Sequence, residues 1–294
     1  MRIRLKLSVI IVSYNVKDFL RHCLDAVERA IAYAQLSAEV IVVDNQSTDG
    51  TAEELADSYE KLNFILNPEN RGFAKACNQG AALATGEFIL FLNPDTLIPP
   101  DSLKDCISFI ASRPDAGAIG VRMVDENGNF LKESKRSFPS PVVSFYKLFG
   151  MAALFPRSRI FARYYLGHLS ENEDHPVEIL SGAFMLIRKT VFEKTGGFDE
   201  RFFMYAEDID LSYRITKDGY RNYYFSGCTI THFKGKSTAK DIRYVKMFYR
   251  AMVVFAVKYY GSHNPYTYFL KAGIWTRAVL SATRIFFRNI FSSR

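Results

Sequence analysis

The sequence predicts an α/β fold in which a mixed sheet is flanked by helices and followed by a C-terminal helical tail. Short apolar runs alternate with stretches in which apolar residues recur every three or four positions, as in alternating strands and helices. Several of these runs end abruptly in polar residues. In open α/β sheets, ligands bind just beyond the carboxyl ends of the strands, so these polar ends are the first candidates for a functional site.

Composition sets the class of protein. The 294 residues, 48% of them hydrophobic, are enough for one large α/β domain with appendages. The four cysteines show neither paired nor metal-type spacing, which is typical of reduced thiols in the cytosol. No apolar run approaches the roughly 18 residues of a membrane span, and the run after the charged N-terminus is too short for a signal peptide. We therefore expect a soluble or peripheral protein.

The positive charge is concentrated at one end of the chain. Residues 239–294 carry ten Lys and Arg residues against one acidic residue, Asp241, whereas the rest of the chain carries 28 basic and 30 acidic residues. A basic tail of this kind indicates an anionic membrane surface rather than a nucleic acid.

The first two predicted strands, residues 7–12 and 40–43, are separated by a helical pattern. Ser13 and Asn15 follow the first strand, and Asp44 follows the second. Residues 51–54 have the form of a capping box that opens another helix. This strand–helix–strand order predicts right-handed parallel crossovers.

The loop after Asp44 contains more polar groups than a simple turn requires, including Asn45 and Ser47. A carboxylate at this strand end can accept a hydrogen bond from a nucleobase N–H or a ribose hydroxyl. The alternative is that Asp49-Gly50 is an ordinary turn and that Ser47 or Asp49 only caps a helix.

A third strand, residues 62–66, leads into a helix that begins at Gly72. Free N–H groups at a helix start favour anions, and Arg71 and Lys75 add positive charge there. Asn78, in the first turns, is placed to reach a polar ligand.

The fourth strand, residues 88–92, is apolar throughout, as a strand buried on both faces is. Asn93, Pro94 and Asp95 follow it, and Pro94 ends the strand pairing. A carboxylate held at a strand end suits a hard cation such as Mg²⁺, which typically takes one or two carboxylates together with substrate phosphates. The alternative is that Asn-Pro-Asp is only a turn.

The middle of the chain predicts a helix at residues 101–112 and a strand at 116–124, followed by a segment that has no clear periodicity. This segment, residues 137–177, is rich in prolines and aromatic residues, with basic residues among them. It is either a lid on the acceptor side or an insertion with its own small core.

Another strand pattern, residues 179–188, contains Gly182, which suggests a close approach of the backbone to a ligand. Glu207, Asp208 and Asp210 then stand in the first turn of a predicted helix, where acids also complement the helix dipole. Two short strands are predicted at 220–225 and 228–233, and His232 lies near the end of the second.

Four segments resemble, in order and spacing, the inverting nucleotide-sugar glycosyltransferases with the GT-A fold, and among these the bacterial rhamnosyltransferase-like members. The segments are residues 9–15, 43–50, 70–78 and 92–95. The resemblance implies a Rossmann-like mixed sheet flanked by helices and a cofactor of Mg²⁺ or Mn²⁺. It also implies transfer of a sugar, rhamnose from dTDP-rhamnose, to a hydroxyl of a glycan or lipid-linked acceptor.

The same resemblance assigns roles to individual residues. Asp208 is the catalytic base, with Glu207 beside it, and Gly182 and Glu207 face the acceptor. Asp95 binds the metal together with His232, while Asn93 stands where many members have a first aspartate. The residues expected to bind the nucleotide sugar are Ser13, Asn15, Asp44, Asn45, Ser47, Arg71, Gly72, Asn78, Asn93, Asp95 and Lys236.

We expect residues 1–236 to form the transferase domain and residues 237–294 the basic, aromatic-rich tail. Three alternatives remain open: a transferase for another UDP- or dTDP-sugar, a non-catalytic nucleotide-sugar-binding protein, and a nucleic-acid-binding protein. The second would have no need of Glu207-Asp208, and the third lacks a recognisable RNA-binding motif. The predicted location is cytoplasmic, at the inner face of the cell membrane.

A helix through the last residues would be amphipathic. Arg277, Arg284 and Arg288 fall on one stripe, and a second, apolar stripe lies roughly opposite. The apolar stripe is formed by Trp275, Val279, Ala282, Phe286 and Ile290. Such a helix lies in a membrane interface. Alternatively, its apolar face packs on the catalytic domain, and deletion of residues 262–294 would then destabilise the protein.

Overall fold

The computed structural model describes residues 6–53, 59, 62–148, 150–235 and 242–291. The strands are β1 (Leu7–Ser13), β2 (Ala38–Asp44), β3 (Leu62–Leu66), β4 (Phe88–Leu92), β5 (Thr96–Leu97), β6 (Ala116–Val124), β7 (His175–Val177), β8 (Phe184–Arg188) and β9 (Arg221–His232). The helices are α1 (Lys17–Ala34), α2 (Phe73–Leu83), α3 (Ser102–Ala111), α4 (Pro141–Leu148), α5 (Met151–Leu154), α6 (Lys189–Lys194), α7 (Glu207–Lys217), α8 (Ile242–Tyr260) and α9 (Pro265–Phe291).

The described strands form one mixed sheet, which confirms the predicted fold class. Its order is β3-β2-β1-β4-β8-β6-β9-β5, and β7 pairs with β9. The strands β3, β2, β1 and β4 run parallel, whereas β8 is antiparallel to both of its neighbours, β4 and β6. The parallel half therefore comes from the strand–helix alternation of the first part of the chain.

Both faces of the sheet are covered by helices. One core lies between the sheet and helices α1 and α3, and the other between the sheet and helices α2, α6 and α7. The central strands β1 and β4 are buried along their whole length, which explains their continuous apolar sequences. All four cysteines are buried and free of disulfides.

The end of the sheet differs from the prediction in one respect. We predicted two short strands over residues 220–233, but the structure has one, β9. Its pairing with β6 shifts register between Phe225 and Thr229, at Ser226-Gly227-Cys228. An irregularity of this kind interrupts the alternation of side chains without ending the strand, so the sequence pattern divides at that point.

Helix α8 packs directly on the part of the chain that precedes it. Ala251 and Phe255 form a small core with Phe202, and Phe138 stands between the two parts, with its ring centroid 5.5 Å from that of Phe255. The hydroxyl of Tyr260 donates a hydrogen bond to the carbonyl oxygen of Pro139 at 2.9 Å. The first part of the predicted tail is thus joined to the rest of the protein.

Helix α9 packs on α8 with one face and leaves another exposed. Ile274 and Ala278 are buried, whereas Trp275 and Val279 are 63% and 62% exposed, and Arg277 is also exposed. The predicted side-chain positions of Ala282, Arg284, Phe286, Arg288 and Ile290 lie outside the described residues. Among the helices that the structure describes, none combines the length and apolarity that crossing a bilayer requires.

Candidate active site

A cavity of about 1470 Å³ opens beside the carboxyl ends of β1, β2 and β4. Its lining includes Asn45, Asn93, Gly182, Glu207, Asp208 and His232. Six residues proposed from separate parts of the sequence therefore meet in one space. The cavity also extends between the segment that contains α4 and the helices α8 and α9, so it is much longer than a nucleotide site alone.

The two residues before α7 adopt an unusual backbone conformation. Tyr205 and Ala206 have φ angles of 72° and 67°, in the left-handed region that non-glycine residues rarely occupy. Such a conformation costs about 1–3 kcal/mol per residue and persists only where the surroundings impose it. Here the ring of Tyr205 packs against Tyr244 and Phe248 of α8, at centroid distances of 5.5 and 5.7 Å. The turn directs the first residues of α7, Glu207 and Asp208, to the cavity.

The carboxylate of Asp208 is surrounded by hydrogen-bond donors. Its Oδ2 accepts a hydrogen bond from Nη2 of Arg136 at 2.6 Å and from the backbone N–H of Gly182 at 3.1 Å. Its Oδ1 accepts from the N–H of Ile209 at 2.8 Å. A guanidinium and two N–H groups around one carboxylate stabilise its negative charge. A Cβ on Gly182 would lie 3.3 Å from Cβ of Asp208, so the glycine allows this close approach.

Glu207 has a different environment from its neighbour. The residue is only 6% exposed, and its Oε2 is buried without a hydrogen-bond partner among the described atoms. Burial, reinforced by the adjacent Asp208 charge, raises the pKa of Glu207 to about 8. Burial therefore favours the protonated form of Glu207, which can donate a hydrogen bond, whereas the carboxylate of Asp208 faces the cavity with Arg136 beside it. Two neighbouring carboxyl groups in unlike environments typically have separate roles.

Asp210, the third acid of α7, points away from the cavity. It is fully buried, and its carboxylate accepts from Nε of Arg214 at 2.8 Å and from the hydroxyl of Tyr259 at 2.6 Å. Lys258 forms an ion pair with the same carboxylate. Because Lys258 and Tyr259 belong to α8, the contacts of Asp210 connect α7 to α8.

Asp95 and His232 are in contact, and His232 lines the same cavity as Asp208. Thr96 pairs with His232 across the short antiparallel ladder of β5 and β9, and the N–H of Phe233 donates to the carbonyl oxygen of Asp95 at 2.9 Å. This pairing brings Nε2 of His232 to 3.3 Å from Oδ1 of Asp95. The two residues proposed for metal binding are therefore adjacent.

The donor atoms at this place fit a hard divalent cation. Asp95 is buried and offers a carboxylate, and the imidazole of His232 is nearly buried, with an Nδ1 that has no partner among the described atoms. The described residues contain no cluster of three or more His, Cys, Asp or Glu side chains arranged for a metal. Two protein ligands suffice for Mg²⁺ or Mn²⁺ when substrate phosphate oxygens and water supply the rest.

The first two polar loops join each other under the cavity. Asp44 accepts from the N–H and the hydroxyl of Ser47, at 2.8 and 2.5 Å, and the hydroxyl of Ser47 accepts from the N–H of Asn15. Ser13 is the register partner of Asp44 and is fully buried. Asn45 donates to the carbonyl oxygen of Gly72 at 3.2 Å. These contacts hold the two loops at one edge of the sheet, as a nucleotide pocket requires.

Two N–H groups at the start of α2 already donate to other parts of the chain. The N–H of Phe73 donates to the carbonyl oxygen of Phe203 at 2.7 Å, and the N–H of Gly72 donates to Oδ1 of Asn70 at 3.0 Å. Gly72 has a φ of 82°, and a Cβ there would lie 2.5 Å from the oxygen of Phe203. The glycine is thus required for packing, whereas the binding of the nucleotide sugar by Arg71 and Gly72 stays a prediction. Arg71 approaches Glu69 at 3.9 Å.

Asn78 also has a structural role. Its amide nitrogen donates to the carbonyl oxygen of Phe198 at 2.9 Å and to Glu200 at 3.1 Å, and its oxygen accepts from the N–H of Phe198. The side chain therefore ties α2 to the loop before α7 and has little capacity left for a ligand. Lys236 lies outside the described residues.

Arg136 lies in the cavity lining beside Asp208, and the sequence did not reveal its place there. It is nearly buried, stands 72 residues before Asp208, and also donates to the carbonyl oxygen of Leu180. Reciprocal backbone hydrogen bonds with Ile179 hold it beside the strand that leads to Gly182. No periodicity links positions so far apart. The only signal was that Arg136 directly precedes residues 137–177, the segment that has no clear periodicity.

Comparisons with known proteins agree with this arrangement. Residues 8–196 match the sequence model of a family described as Glycosyl transferase family 2. An N-acetylglucosaminyl-diphospho-decaprenol L-rhamnosyltransferase from Mycobacterium tuberculosis (strain CDC 1551 / Oshkosh) is 31% identical over 233 residues, which cover 73% of this chain and 74% of that protein. Rhamnosyltransferase WbbL of Escherichia coli (strain K12) is 27% identical over 234 residues, with coverages of 76% and 82%.

Among solved structures, the mannosyltransferase PcManGT from Pyrobaculum calidifontis, in complex with GDP-Man and Mn²⁺, is similar with a TM-score of 0.58. The sequences are 22% identical, and the match covers 97% of this chain and 74% of that one. A likeness at this identity concerns the fold, and it confirms the GT-A fold expected from the sequence.

Proposed function

The chain belongs to glycosyl transferase family 2, and we propose that it transfers rhamnose from dTDP-rhamnose to a hydroxyl of a lipid-linked or glycan acceptor, with inversion. The observation that carries this proposal is the meeting of Asp208, Gly182 and His232 in the lining of one cavity, with Asp95 beside His232. A proton acceptor and a cation site then face the same reacting centre. The rhamnosyltransferases among the relatives support the choice of sugar.

In the proposed reaction, the acceptor hydroxyl loses its proton to Asp208 as its oxygen attacks the anomeric carbon of the donor. The new bond forms on the face opposite the bond that breaks, and the nucleoside diphosphate leaves with the electron pair. Arg136 and the N–H of Gly182 orient the carboxylate for this proton transfer. Protonated Glu207 is placed to donate a hydrogen bond to the acceptor.

Asp95 and His232 would hold the divalent cation, Mg²⁺ or Mn²⁺, on the donor side. When bound, such an ion neutralises the charge that builds on a departing diphosphate. Ser13, Asn15, Asp44, Asn45, Ser47 and Asn93 are proposed to form the surrounding nucleotide-sugar pocket, with Arg71 and Lys236 at its margin. Residues 1–236 would constitute the transferase domain, with residues 137–177 on the acceptor side.

A panel of nucleotide sugars tests the proposal. Purified protein is incubated with dTDP-rhamnose, other dTDP-sugars and UDP-sugars, with Mg²⁺ or Mn²⁺, and release of nucleoside diphosphate is measured. We expect dTDP-rhamnose to give the highest rate and a chelator to abolish release. If a UDP-sugar gave the highest rate of release instead, the donor would belong to the alternative class. Tight donor binding without any release in the presence of acceptors would instead indicate a non-catalytic binding protein.

The exposed face of α9 supports a second part of the proposal, that the protein lies on the inner face of the cytoplasmic membrane. Trp275 and Val279 are exposed beside Arg277, which is exposed and also lines the cavity, and the inner face of the helix packs on α8. A basic face with an aromatic anchor is typical of an interfacial helix. Each Lys or Arg near an anionic surface contributes about 1 kcal/mol to binding.

Substitutions on that face separate membrane binding from packing better than deletion of residues 262–294, which would also uncover α8. In the variant W275S/V279S, we expect sedimentation with anionic vesicles to be lost and the melting temperature to stay within about 2 °C, because both side chains are exposed. Arg277→Gln should weaken vesicle binding about fivefold. Vesicle binding equal to that of the wild type in W275S/V279S would contradict the membrane role of this face.

A further inference from the structure

A second cavity, of about 700 Å³, shares no described lining residue with the active-site cavity. Its lining comes from residues 159–169, from β7 and β9, and from Thr216 in the last turns of α7. A volume of this size lies within the range of about 300–1,000 Å³ that is usual for small-molecule sites. None of the described residues that line it has a role in the proposed transfer, so the second cavity needs a separate explanation.

Cations outnumber acids in the second cavity. Its described lining contains Arg159, Arg163 and Arg221, and Glu178 is the acid. Arg221 lies 3.6 Å from the carboxylate of Asp115, and Glu178 already accepts a hydrogen bond from a backbone N–H at 2.9 Å. Within the part of the chain that the structure describes, Arg159 and Arg163 form no ion pair. Two guanidinium groups with this freedom favour an anion such as a phosphate.

A buried ammonium group adds to this positive charge. Lys135 is only 2% exposed, and its Nζ donates to the carbonyl oxygens of Leu166 and Leu169 at 3.0 and 2.8 Å. Both leucines line the second cavity, and so does His168 between them. Burial lowers the pKa of His168, and nearby cations, among them Arg159 and Lys135, lower it further. A cluster of positive charges of this kind stabilises a bound anion.

The second cavity also has uncharged polar groups. Ser137 and Asn222 line it and are each 1% exposed, and Oγ of Ser137 and Oδ1 of Asn222 have no hydrogen-bond partner among the described atoms. The amide nitrogen of Asn222 donates to the carbonyl oxygens of Glu178 and Ser212, at 2.9 and 2.8 Å. Buried polar atoms without a partner are rare in proteins. Because an amide oxygen is an acceptor, a ligand with hydroxyl groups suits this cavity.

The two cavities lie on opposite sides of one wall. Arg136 and Tyr164 line the active-site cavity, whereas their neighbours in the sequence, Ser137 and Arg163, line the second cavity. The N–H of Ser137 donates to the carbonyl oxygen of Tyr164 at 2.9 Å, which joins the two segments of the wall. Arg136 in turn donates to the carboxylate of Asp208. A ligand that restrains Ser137 and Arg163 therefore also restrains a donor to Asp208.

We infer that the second cavity is an effector site for a phosphomonoester that also carries hydroxyl groups, as a sugar phosphate does, and that its occupation increases the rate of transfer. Arg159 and Arg163 bind the phosphate, and Asn222 accepts a hydrogen bond from a hydroxyl. Occupation restrains the wall and so holds Arg136 against Asp208. The effect on rate rests on the proposed function, whereas the binding does not. A soluble phosphate and a lipid headgroup offer the same chemistry and are distinguished by experiment.

Equilibrium dialysis of the full-length protein, without any donor, tests the binding. The probes are glucose 1-phosphate, inorganic phosphate and glucose, and we expect glucose 1-phosphate to bind most tightly. Arg163→Gln should weaken its binding about tenfold, because charge-assisted hydrogen bonds to the phosphate are lost. Arg157→Gln, an exposed control in the same segment and outside the lining, should leave it unchanged. Absence of glucose 1-phosphate binding, or an equal loss in both variants, would overturn the site.

Vesicles that contain phosphatidic acid distinguish the two sources of the phosphate. Sedimentation is measured for W275S/V279S, in which the exposed face of α9 no longer contributes, with and without the further change Arg163→Gln. A loss of sedimentation on adding Arg163→Gln would identify a lipid headgroup as the ligand. Equal sedimentation of the two proteins, together with binding of glucose 1-phosphate in dialysis, would identify a soluble phosphate.

Initial rates of sugar transfer test the effect on catalysis. Saturating glucose 1-phosphate should raise kcat of the wild type about fivefold, at the lower end of typical couplings between sites, and should leave the KM for dTDP-rhamnose unchanged. Arg163→Gln should show no increase at the same concentration, whereas Arg157→Gln should respond as the wild type does. An unchanged kcat would overturn the effector role, and a raised KM would place the probe in the donor pocket and overturn the inference. Binding in dialysis without transfer from any donor would leave the site intact and overturn the proposed function alone.

Discussion

Replacement of Asp208 by asparagine is expected to lower kcat by about 10²–10⁴-fold, the usual contribution of a positioned general base. The amide keeps the shape of the side chain but cannot take the acceptor's proton. Donor affinity should change little, because the residues proposed to bind the nucleotide and the cation are on other loops. Glu207→Gln is the matched comparison: since Glu207 is neutral at pH 7, we expect a much smaller loss of rate.

The ion pair between Asp208 and Arg136 means that the stability of the variant must be measured together with its activity. Asp208→Asn also removes the charge partner of Arg136, whose side chain is only 10% exposed, so the variant should lose stability by up to about 3 kcal/mol. The double variant R136M/D208N removes the uncompensated cation and should regain most of the melting temperature. If it regains activity as well, the loss in Asp208→Asn came from stability, and Asp208 is not the base.

Replacement of Asp95 by alanine is expected to abolish metal-dependent donor binding and to lower turnover at least about 100-fold, because an ion at the departing diphosphate contributes several kcal/mol. Asp95 supplies the carboxylate of the proposed cation site, beside His232. The measurement is binding of dTDP-rhamnose as a function of Mn²⁺ concentration, together with the initial rate.

Two companion variants sharpen the interpretation. Asp95→Asn conserves volume and should lose metal dependence as completely as the alanine variant, which separates charge from packing. His232→Ala should weaken the same step less, since a neutral imidazole contributes less to a hard cation than a carboxylate does. Metal-stimulated turnover at the wild-type rate in Asp95→Ala would show that the cation is held elsewhere.

Sequence reasoning succeeded where chemistry is local to a strand end. The buried runs of β1, β2 and β4 and the polar residues after them, such as Ser13, Asp44 and Asp95, follow from burial of a strand on both faces and its exit at the sheet edge. The contact of Asp95 with His232 also followed, once the resemblance supplied the histidine's place. These features depend on a few consecutive residues.

Sequence reasoning did not succeed where a contact depends on tertiary structure. The Arg136–Asp208 pair joins a loop to the start of α7, and no repeat in the sequence connects the two positions. The N–H of Phe73 looked free because its partner, the carbonyl oxygen of Phe203, lies far along the chain. The predicted tail was equally ambiguous, since a basic, aromatic-rich helical segment suits a membrane or a protein surface. Buried contacts such as that of Phe255 with Phe202 decide this for α8, but sequence periodicity does not contain them.

The contacts of Lys258 and Tyr259, on α8, with Asp210 have a consequence for protein engineering. A chimera that exchanged everything after residue 236 for the corresponding part of a relative would separate Asp210 from Lys258 and Tyr259, and Tyr205 from its aromatic support. The proposed base, Asp208, would then come from one parent, and the residues of α8 that support its helix would come from the other. A junction in the exposed stretch 261–264, where Gly261 has a φ of 82°, would keep both in one parental piece. Recombination at that joint should yield hybrids that retain transfer chemistry while exchanging α9 and its wall of the cavity.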